Sequence, residues 1–320
     1  MTPLWIALGV LGALILADLA VAWYFIFRYL WRKPDKDPVK QLRRYGEKYA
    51  PALEMMVAGL DWLDTQELED IYITSHDSLP LHARILPADK PTDKVALCVH
   101  GYHSSARMDF GASIRFMHEC GCNVLIPDDR AHGQSGGHFI GFSYLDRRDC
   151  ISWCRYIEGR WGADCRILLV GISMGAATVL AASGDDSLPA CVRGVLGDCG
   201  FCSGWDEFAY QMKKRYRLPT FPILHTADLM LRIFAGYSLR RDTAADMIKN
   251  THIPLLIIHG RADDFVPTYM AEQLYGAAHC DKRLLLVEGA VHGVSYCVAP
   301  ELYRDAVRDL MERAGMPADQ

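Results

Sequence analysis

The segment Leu168-Leu169-Val170-Gly171-Ile172-Ser173-Met174-Gly175-Ala176-Ala177 constrains this chain more than any other. An apolar run ends in a glycine, passes one serine and a second glycine, and continues as Ala- and Leu-rich sequence. That order reads as a strand, a sharp turn and a helix, with Ser173 at the turn. A turn this tight forces the serine into a strained backbone conformation. Gly171 and Gly175 leave room for strand and helix to approach closely. The Ser173 hydroxyl then stands above the sheet, and the backbone N–H of Met174, first in the helix, points at whatever oxygen reacts there.

A serine nucleophile needs a base, and the base needs an acid to orient it. Two later stretches supply both. Pro254-Leu255-Leu256-Ile257-Ile258-His259-Gly260 reads as a buried strand and leads into Arg261-Ala262-Asp263-Asp264-Phe265-Val266-Pro267. Arg283-Leu284-Leu285-Leu286-Val287 reads as another, followed by Val291-His292-Gly293. Each polar candidate sits just past the C-terminal end of a strand, where open α/β sheets place their sites.

Together these motifs resemble the serine-esterase/lipase type of the α/β-hydrolase superfamily. Gly171-x-Ser173-x-Gly175 is similar to its nucleophile elbow. Gly260-x-x-Asp263-x-x-Val266-Pro267 is similar to its acid motif and selects Asp263 over Asp264. His100-Gly101-Tyr102 after Val95-Ala96-Leu97-Cys98-Val99 is similar to its oxyanion strand and turn. Asp129-Arg130-Ala131-His132-Gly133-Gln134-Ser135 resembles a further family motif, with Ala131 where glycine is usual. The superfamily resemblance covers about Ile71 to Leu310. Within it the chain looks most similar to bacterial membrane-anchored Bem46/ABHD-like hydrolases.

The resemblance implies a mostly parallel sheet with helices on both faces. It implies Ser173, His292 and Asp263 as catalytic residues, and the backbone N–H groups of Tyr102 and Met174 as the oxyanion hole. Asp198, at the end of the strand Val192 to Cys199, is the reserve acid. A helical cap is expected at 201–250, where Pro219, Pro222 and Gly236 mark breaks. The implied reaction is cleavage of a carboxylic ester through an acyl-enzyme, with no metal or organic cofactor. The same triad also serves thioester, amide or peptide hydrolysis, and a non-catalytic binding protein on this scaffold is the third reading. Asp128, Asp129 and His132 read as bracing for the site floor rather than as metal ligands, and His100 as structural.

Residues 3 to 31 are nearly all apolar, long enough to cross a bilayer, which takes about 20 residues. Trp5 lies near one end and Trp23, Tyr24, Tyr29 and Trp31 near the other, as interfacial aromatics do. Asp18 interrupts the run at a cost of about 3 kcal/mol if it sat at the bilayer centre. No basic residue precedes the run, which favours an uncleaved anchor over a signal peptide. Arg28, Arg32, Lys33, Lys36, Lys40, Arg43 and Arg44 follow it, which by the positive-inside rule puts the rest in the cytoplasm. The expected organisation is an anchor at 1–33, a linker and amphipathic helix at 34–68, and a hydrolase domain at 69–320. Within the second part, Leu42, Tyr45, Tyr49, Leu53, Met56, Leu60 and Leu63 recur at helical spacing, predicting one helix over about 39–63.

The 320 residues are 51% hydrophobic, enough for a sizeable core. A formal charge of -5 excludes the basic domain that nucleic acid would call for. The 11 cysteines have no framework spacing and fit buried free thiols in a reducing compartment. Cys120-x-Cys122 and Cys199-x-x-Cys202 lack a second pair at zinc spacing. His76 and His82 read as surface polar residues, and Ala106 to Cys120 reads as a helix. The expected substrate is a small acyl ester, lipid-derived in view of the anchor. Oligomeric state is not legible.

Overall fold

The computed structural model describes residues 2–34, 37–44, 46 and 49–319. Three helices come first: α1 (Thr2–Tyr29), α2 (Pro38–Arg44) and α3 (Ala50–Leu63). Then follow β1 (Glu69–Thr74), β2 (Pro80–Leu86), β3 (Lys94–Val99), α4 (Ala106–Phe110), α5 (Ile114–Glu119), β4 (Asn123–Pro127), α6 (Asp146–Trp161), β5 (Arg166–Ile172), α7 (Met174–Ser183) and β6 (Val192–Asp198). Between β6 and β7 (Leu255–Gly260) lie α8 (Gly204–Gln211), a π-helical turn (Met212–Tyr216), α9 (Ile223–Phe234) and α10 (Ala244–Met247). The chain closes with α11 (Tyr269–Ala277), β8 (Lys282–Val287), α12 (Ser295–Val298) and α13 (Pro300–Arg313).

One eight-stranded sheet runs in the order β1-β2-β4-β3-β5-β6-β7-β8. β2 pairs antiparallel with β1 and β4, and every other pairing is parallel. The central strands β3 and β5 are buried on both faces, which is why they read as continuous apolar runs. Their residues alternate between two cores. Val95, Leu97, Ile167 and Leu169 face the core that contains Trp153 of α6, and Ala96, Cys98, Leu168 and Val170 face the core that contains Tyr303 of α13. This is the α/β-hydrolase fold.

Three local expectations are corrected. The helix expected over 39–63 is two helices, α2 and α3. Gly46 takes φ +82° between them, and Pro51 in the first turn of α3 cannot donate to a preceding turn; Tyr45 lies outside the described residues, as do Asp35 and Lys36 of the linker. Leu42, Ala52, Met56 and Leu60 still share one buried face, packed on Val291 and Val294 beside His292. The helix expected over 106–120 breaks into α4 and α5 around Gly111, whose carbonyl lies 1.8 Å from where a Cβ on Gly59 of α3 would be. His82 is buried rather than superficial, held between Asp128 at 2.7 Å and Asp70 at 2.8 Å.

α1 does not stand apart from the sheet domain. Residues 3–17 are exposed on nearly every side, but Ala22, Ile26 and Leu30, spaced i, i+4, i+8, are buried in the same core as Trp153. Just beyond α1, Ile140 N–H donates to Leu30 O at 2.9 Å and Arg32 N–H to His138 O at 2.8 Å. The 27 residues Pro3–Tyr29 are the one stretch among the described residues long and apolar enough to cross a membrane.

Candidate active site

Ser173 links β5 to α7 with φ 58° and ψ −116°, a region that side-chain-bearing residues avoid. The strain persists because both flanks are packed to the limit. A Cβ on Gly175 would lie 2.0 Å from Val99 O, and one on Gly171 would lie 2.2 Å from Gly175 O. Those neighbours are backbone and cannot rotate away. Gly175→Ala should therefore push α7 off β3, destabilise the protein by about 2 kcal/mol and lower its melting temperature by about 5 °C. A thermal melt matching wild type would contradict this packing.

The loops after β7 and β8 bring Asp263 and His292 to the serine. His292 Nε2 lies 2.9 Å from Ser173 Oγ, and His292 Nδ1 lies 2.7 Å from Asp263 Oδ2. The other carboxylate oxygen, Oδ1, accepts the backbone N–H groups of Phe265 and Val266, both at 2.9 Å. His259, on the β7 strand, adds a contact to Asp263 Oδ2 at 3.4 Å. Burial would raise the Asp263 carboxyl, but the two imidazoles and the donated hydrogen bonds outweigh it and hold its pKa far below the usual carboxylate range. Burial likewise disfavours the His292 imidazolium, yet the Asp263 charge prevails and keeps its pKa above that of a free histidine. Phe265 stacks against the imidazole with ring centroids 4.9 Å apart.

Asp198 ends β6 nearby but serves another partner. Its carboxylate accepts from Ser295 Oγ at 3.0 Å, and burial raises its pKa to about 6. Asp264 pairs with Lys214 at 3.7 Å.

On the opposite side of Ser173, a Cβ on Gly101 would lie 3.1 Å from Ser173 Cβ, so the His100-Gly101-Tyr102 turn lies against the serine. Sequence reasoning missed what holds this turn. Asp109 of α4 accepts Gly101 N–H at 2.6 Å and Ser104 O–H at 2.7 Å, which ties both ends of the turn to α4. Burial raises the Asp109 pKa. No local signal marks it, because its partners lie across a turn. Met174, the first residue of α7, contributes a peptide N–H from the first helical turn, where no intrahelical acceptor exists. The loop expected to brace the floor does so with charge. Arg130 forks onto Asp149 at 2.6 and 2.8 Å and reaches Asp77 at 2.9 Å, while Asp129 N–H donates to His100 Nε2 at 3.1 Å and His103 N–H to His132 Nε2 at 3.1 Å.

A cavity of about 470 Å³ lies over the serine. Its walls are mostly apolar, with Phe142, Phe201, Phe208, Met212 and Leu224 prominent, so the cap from 201 to 250 shapes it. Phe25, Ile26 and Tyr29 of α1, with Leu30 just beyond it, also line it, a contribution the sequence did not suggest. Glu207 is a carboxylate in the cap wall, beside Gln211 and Arg215. It is buried, takes a hydrogen bond from Gln211 at 2.8 Å, and burial raises its pKa to about 7.

Could the acidic and thiol groups hold a metal? Among the described residues, Cys199, Asp263 and His292 bring donor atoms within 4.8 Å of one another. Both nitrogens of His292 are already engaged, and burial raises the Cys199 thiol to about 11, which disfavours the thiolate a metal needs. His76, Asp77 and Asp149 form a second group, whose carboxylates Arg130 neutralises.

A family model described as serine aminopeptidase, S33, matches residues 90–217. The chain is similar to YqkD, an uncharacterized protein of Bacillus subtilis (strain 168), with 29% identity over 313 residues, covering 94% of this chain and 95% of that protein. It is also similar to the uncharacterized protein YfhR of Escherichia coli (strain K12), with 27% identity over 235 residues, or 72% of this chain and 75% of the other. Among solved structures, the Pyrococcus furiosus esterase Pf2001 superposes with a TM-score of 0.63 at 24% identity, covering 78% of this chain and 92% of that one. The acylaminoacyl peptidase of Pyrococcus horikoshii superposes with a TM-score of 0.58 at 16% identity, covering 80% of this chain and 43% of that one. At these identities the two structures speak to fold.

Proposed function

We propose, from the α/β-hydrolase fold and the match to a serine aminopeptidase family model over residues 90–217, that this chain is a membrane-anchored serine hydrolase that cleaves carboxylic esters through an acyl-enzyme. The observation that carries the reading is the continuous chain from Asp263 through His292 to Ser173, at 2.7 and 2.9 Å, beneath a largely apolar cavity. Ser173 Oγ attacks the ester carbonyl while His292 Nε2 takes its proton. The oxyanion is held by the N–H groups of Met174 and Tyr102, each worth about 3 kcal/mol. As the C–O bond breaks, His292 returns the proton to the departing alcohol. Water, deprotonated by the same imidazole, then releases the acid and restores the serine. These steps need no cofactor.

Labelling by a fluorophosphonate probe tests the reading in full-length protein. Wild type should be labelled and Ser173→Ala should not. An unlabelled wild type with a native thermal melt would mean the serine is not activated, and would favour a binding protein on this scaffold.

The pH profile follows from the imidazole. His292 must be neutral to act as base, and its pKa is raised above 6.5 by Asp263. The kcat/KM for a short ester should therefore climb with pH through an apparent pKa above 6.5. A plateau already reached by pH 6 would mean Asp263 does not hold the imidazolium.

The family model and the peptidase neighbour support a second bond class, amides or peptides, for the same triad. A panel of matched ester, thioester and anilide substrates separates them, with the ester expected to turn over fastest. The anchor reading rests on Pro3–Tyr29 and on the basic residues at and beyond its C-terminal end, Arg28, Arg32, Lys33, Lys40, Arg43 and Arg44, which favour a cytoplasmic active site.

A further inference from the structure

We infer that the cap helix α9 sits within the lipid leaflet beside α1, and that the substrate is therefore an acyl ester resident in the bilayer rather than one dissolved in water. The inference rests on the serine-hydrolase and anchor readings above.

The argument begins with length. The freely exposed part of α1, residues 3–17, is 15 residues long, or about 22 Å at 1.5 Å per residue. The hydrocarbon core is about 30 Å thick. A span starting at residue 3 must draw in about five more residues, and tilt only lengthens that requirement. Those next residues, 18–22, are where α9 docks. Thr226 Oγ1 donates to Asp18 Oδ2 at 2.5 Å, Ala22 is fully buried, and Trp23 meets Phe234 edge-on with ring centroids 5.5 Å apart. If α1 crosses the membrane, α9 goes in with it.

The surface of α9 fits that position. Its inner face, with Leu224, Ala227 and Leu231, is buried, and Leu224 and Ala227 line the cavity. Its outer face shows Leu229, Ile233 and Phe234, which are 56%, 66% and 58% exposed. In water such a face would be a liability; beside an apolar membrane helix it is continuous with the lipid-facing surface. The one cation on α9, Arg232, is paired with Asp228 at 2.7 Å. Asp18, costly alone in hydrocarbon, has a donor in Thr226.

The charges mark the headgroup level. Lys213, Lys214, Arg215 and Arg217 are exposed on the π-helical turn, and Tyr216 between them is hydrogen-bonded to Tyr29 at the end of α1, next to Arg28. Arg28 lies about 15 Å along the helix from Asp18. A cationic ring around that end of α1 suits anionic headgroups, while the α1–α9 pair, one wall of the cavity, reaches acyl-chain depth.

The test uses full-length protein in phosphatidylcholine–phosphatidylglycerol vesicles whose acyl chains carry an alkyne. A photo-crosslinker, p-benzoylphenylalanine, replaces Val10 in α1, Ile233 in α9 or Tyr72 on β1. Position 233 should form lipid adducts about as readily as position 10, and position 72 should not. Adducts at 10 but none at 233, or capture of a protein by 233 in native membranes in place of lipid, would overturn the inference. This readout does not depend on catalysis, so it stands apart from failure of the hydrolase reading, which absent fluorophosphonate labelling reports. A second arm compares wild type with the Leu229→Asp, Ile233→Asp double variant. Hydrolysis of a vesicle-embedded long-chain ester should fall at least about tenfold while that of soluble p-nitrophenyl butyrate stays within about twofold. No change on either substrate, or an equal fall on both, would overturn it.

Discussion

Ser173→Ala is expected to lower kcat on a short-chain ester by roughly five orders of magnitude while leaving the melting temperature unchanged. The two halves of that expectation have separate causes. Turnover is lost because, among the described residues, Ser173 Oγ is the hydroxyl hydrogen-bonded to His292 Nε2, at 2.9 Å. Stability is kept because the strain at φ 58° belongs to the backbone, and alanine has the same Cβ as serine. The Ser173 N–H bond to Asp198 O at 2.8 Å also survives the change. What remains should be the small rate that oxyanion donors and substrate binding supply without a nucleophile. Retention of more than about one per cent of the wild-type rate would remove Ser173 from the mechanism.

Asp263→Asn is expected to cost about four orders of magnitude in kcat, and Asp198→Asn less than about tenfold. The geometry around Asp263 gives the first figure a specific cause. Oδ1 accepts two backbone N–H groups, from Phe265 and Val266. An asparagine must keep its carbonyl oxygen there, because its amide nitrogen would face two donors. Its NH2 group then points at His292 Nδ1 and forces the imidazole proton onto Nε2. In that tautomer the histidine donates to Ser173 when it should accept from it. Asp198 has no such hold on the imidazole, since Ser295 takes its carboxylate. Measured kcat values for the two variants, on one ester at pH 8, decide between the acids. A larger loss in Asp198→Asn would move the acid role to β6.

Why was so much of this legible in the chain itself? Each chemical residue is announced by the strand that delivers it. Val95–Val99, Leu168–Ile172 and Leu255–Ile258 are apolar because they are buried on both faces, the half-buried edge strand Leu284–Val287 packs on the same two cores, and each leads within five residues to the residue of interest. The glycines at 171 and 175 are forced by backbone approach, a constraint that no other residue satisfies. Asp109 and Glu207 carry no such flag. Both lie in short helices, and their importance comes from neighbours far away in sequence or from the cavity they face. His82 escaped for the same reason, since its position on an outer strand suggested solvent and Asp128 reaches it from a distant loop. The breaks at Gly46 and Gly111 show the limit of periodicity, because apolar spacing continues across both; Gly46 has a positive φ, and Gly111 lies where α3 packs closely through Gly59.

The N-terminal helix divides the two sources most clearly. Its length, its apolar composition and its basic flank are properties of local sequence, and so is the strand–turn–helix that presents Ser173. These follow from backbone hydrogen bonding and side-chain transfer energies, which act residue by residue. That Ala22, Ile26 and Leu30 enter the enzyme core, that Asp18 finds Thr226, and that Phe25 and Tyr29 wall the cavity are decided in three dimensions. Such contacts join residues more than one hundred positions apart, and nothing in either segment encodes the other until the sheet has brought them together.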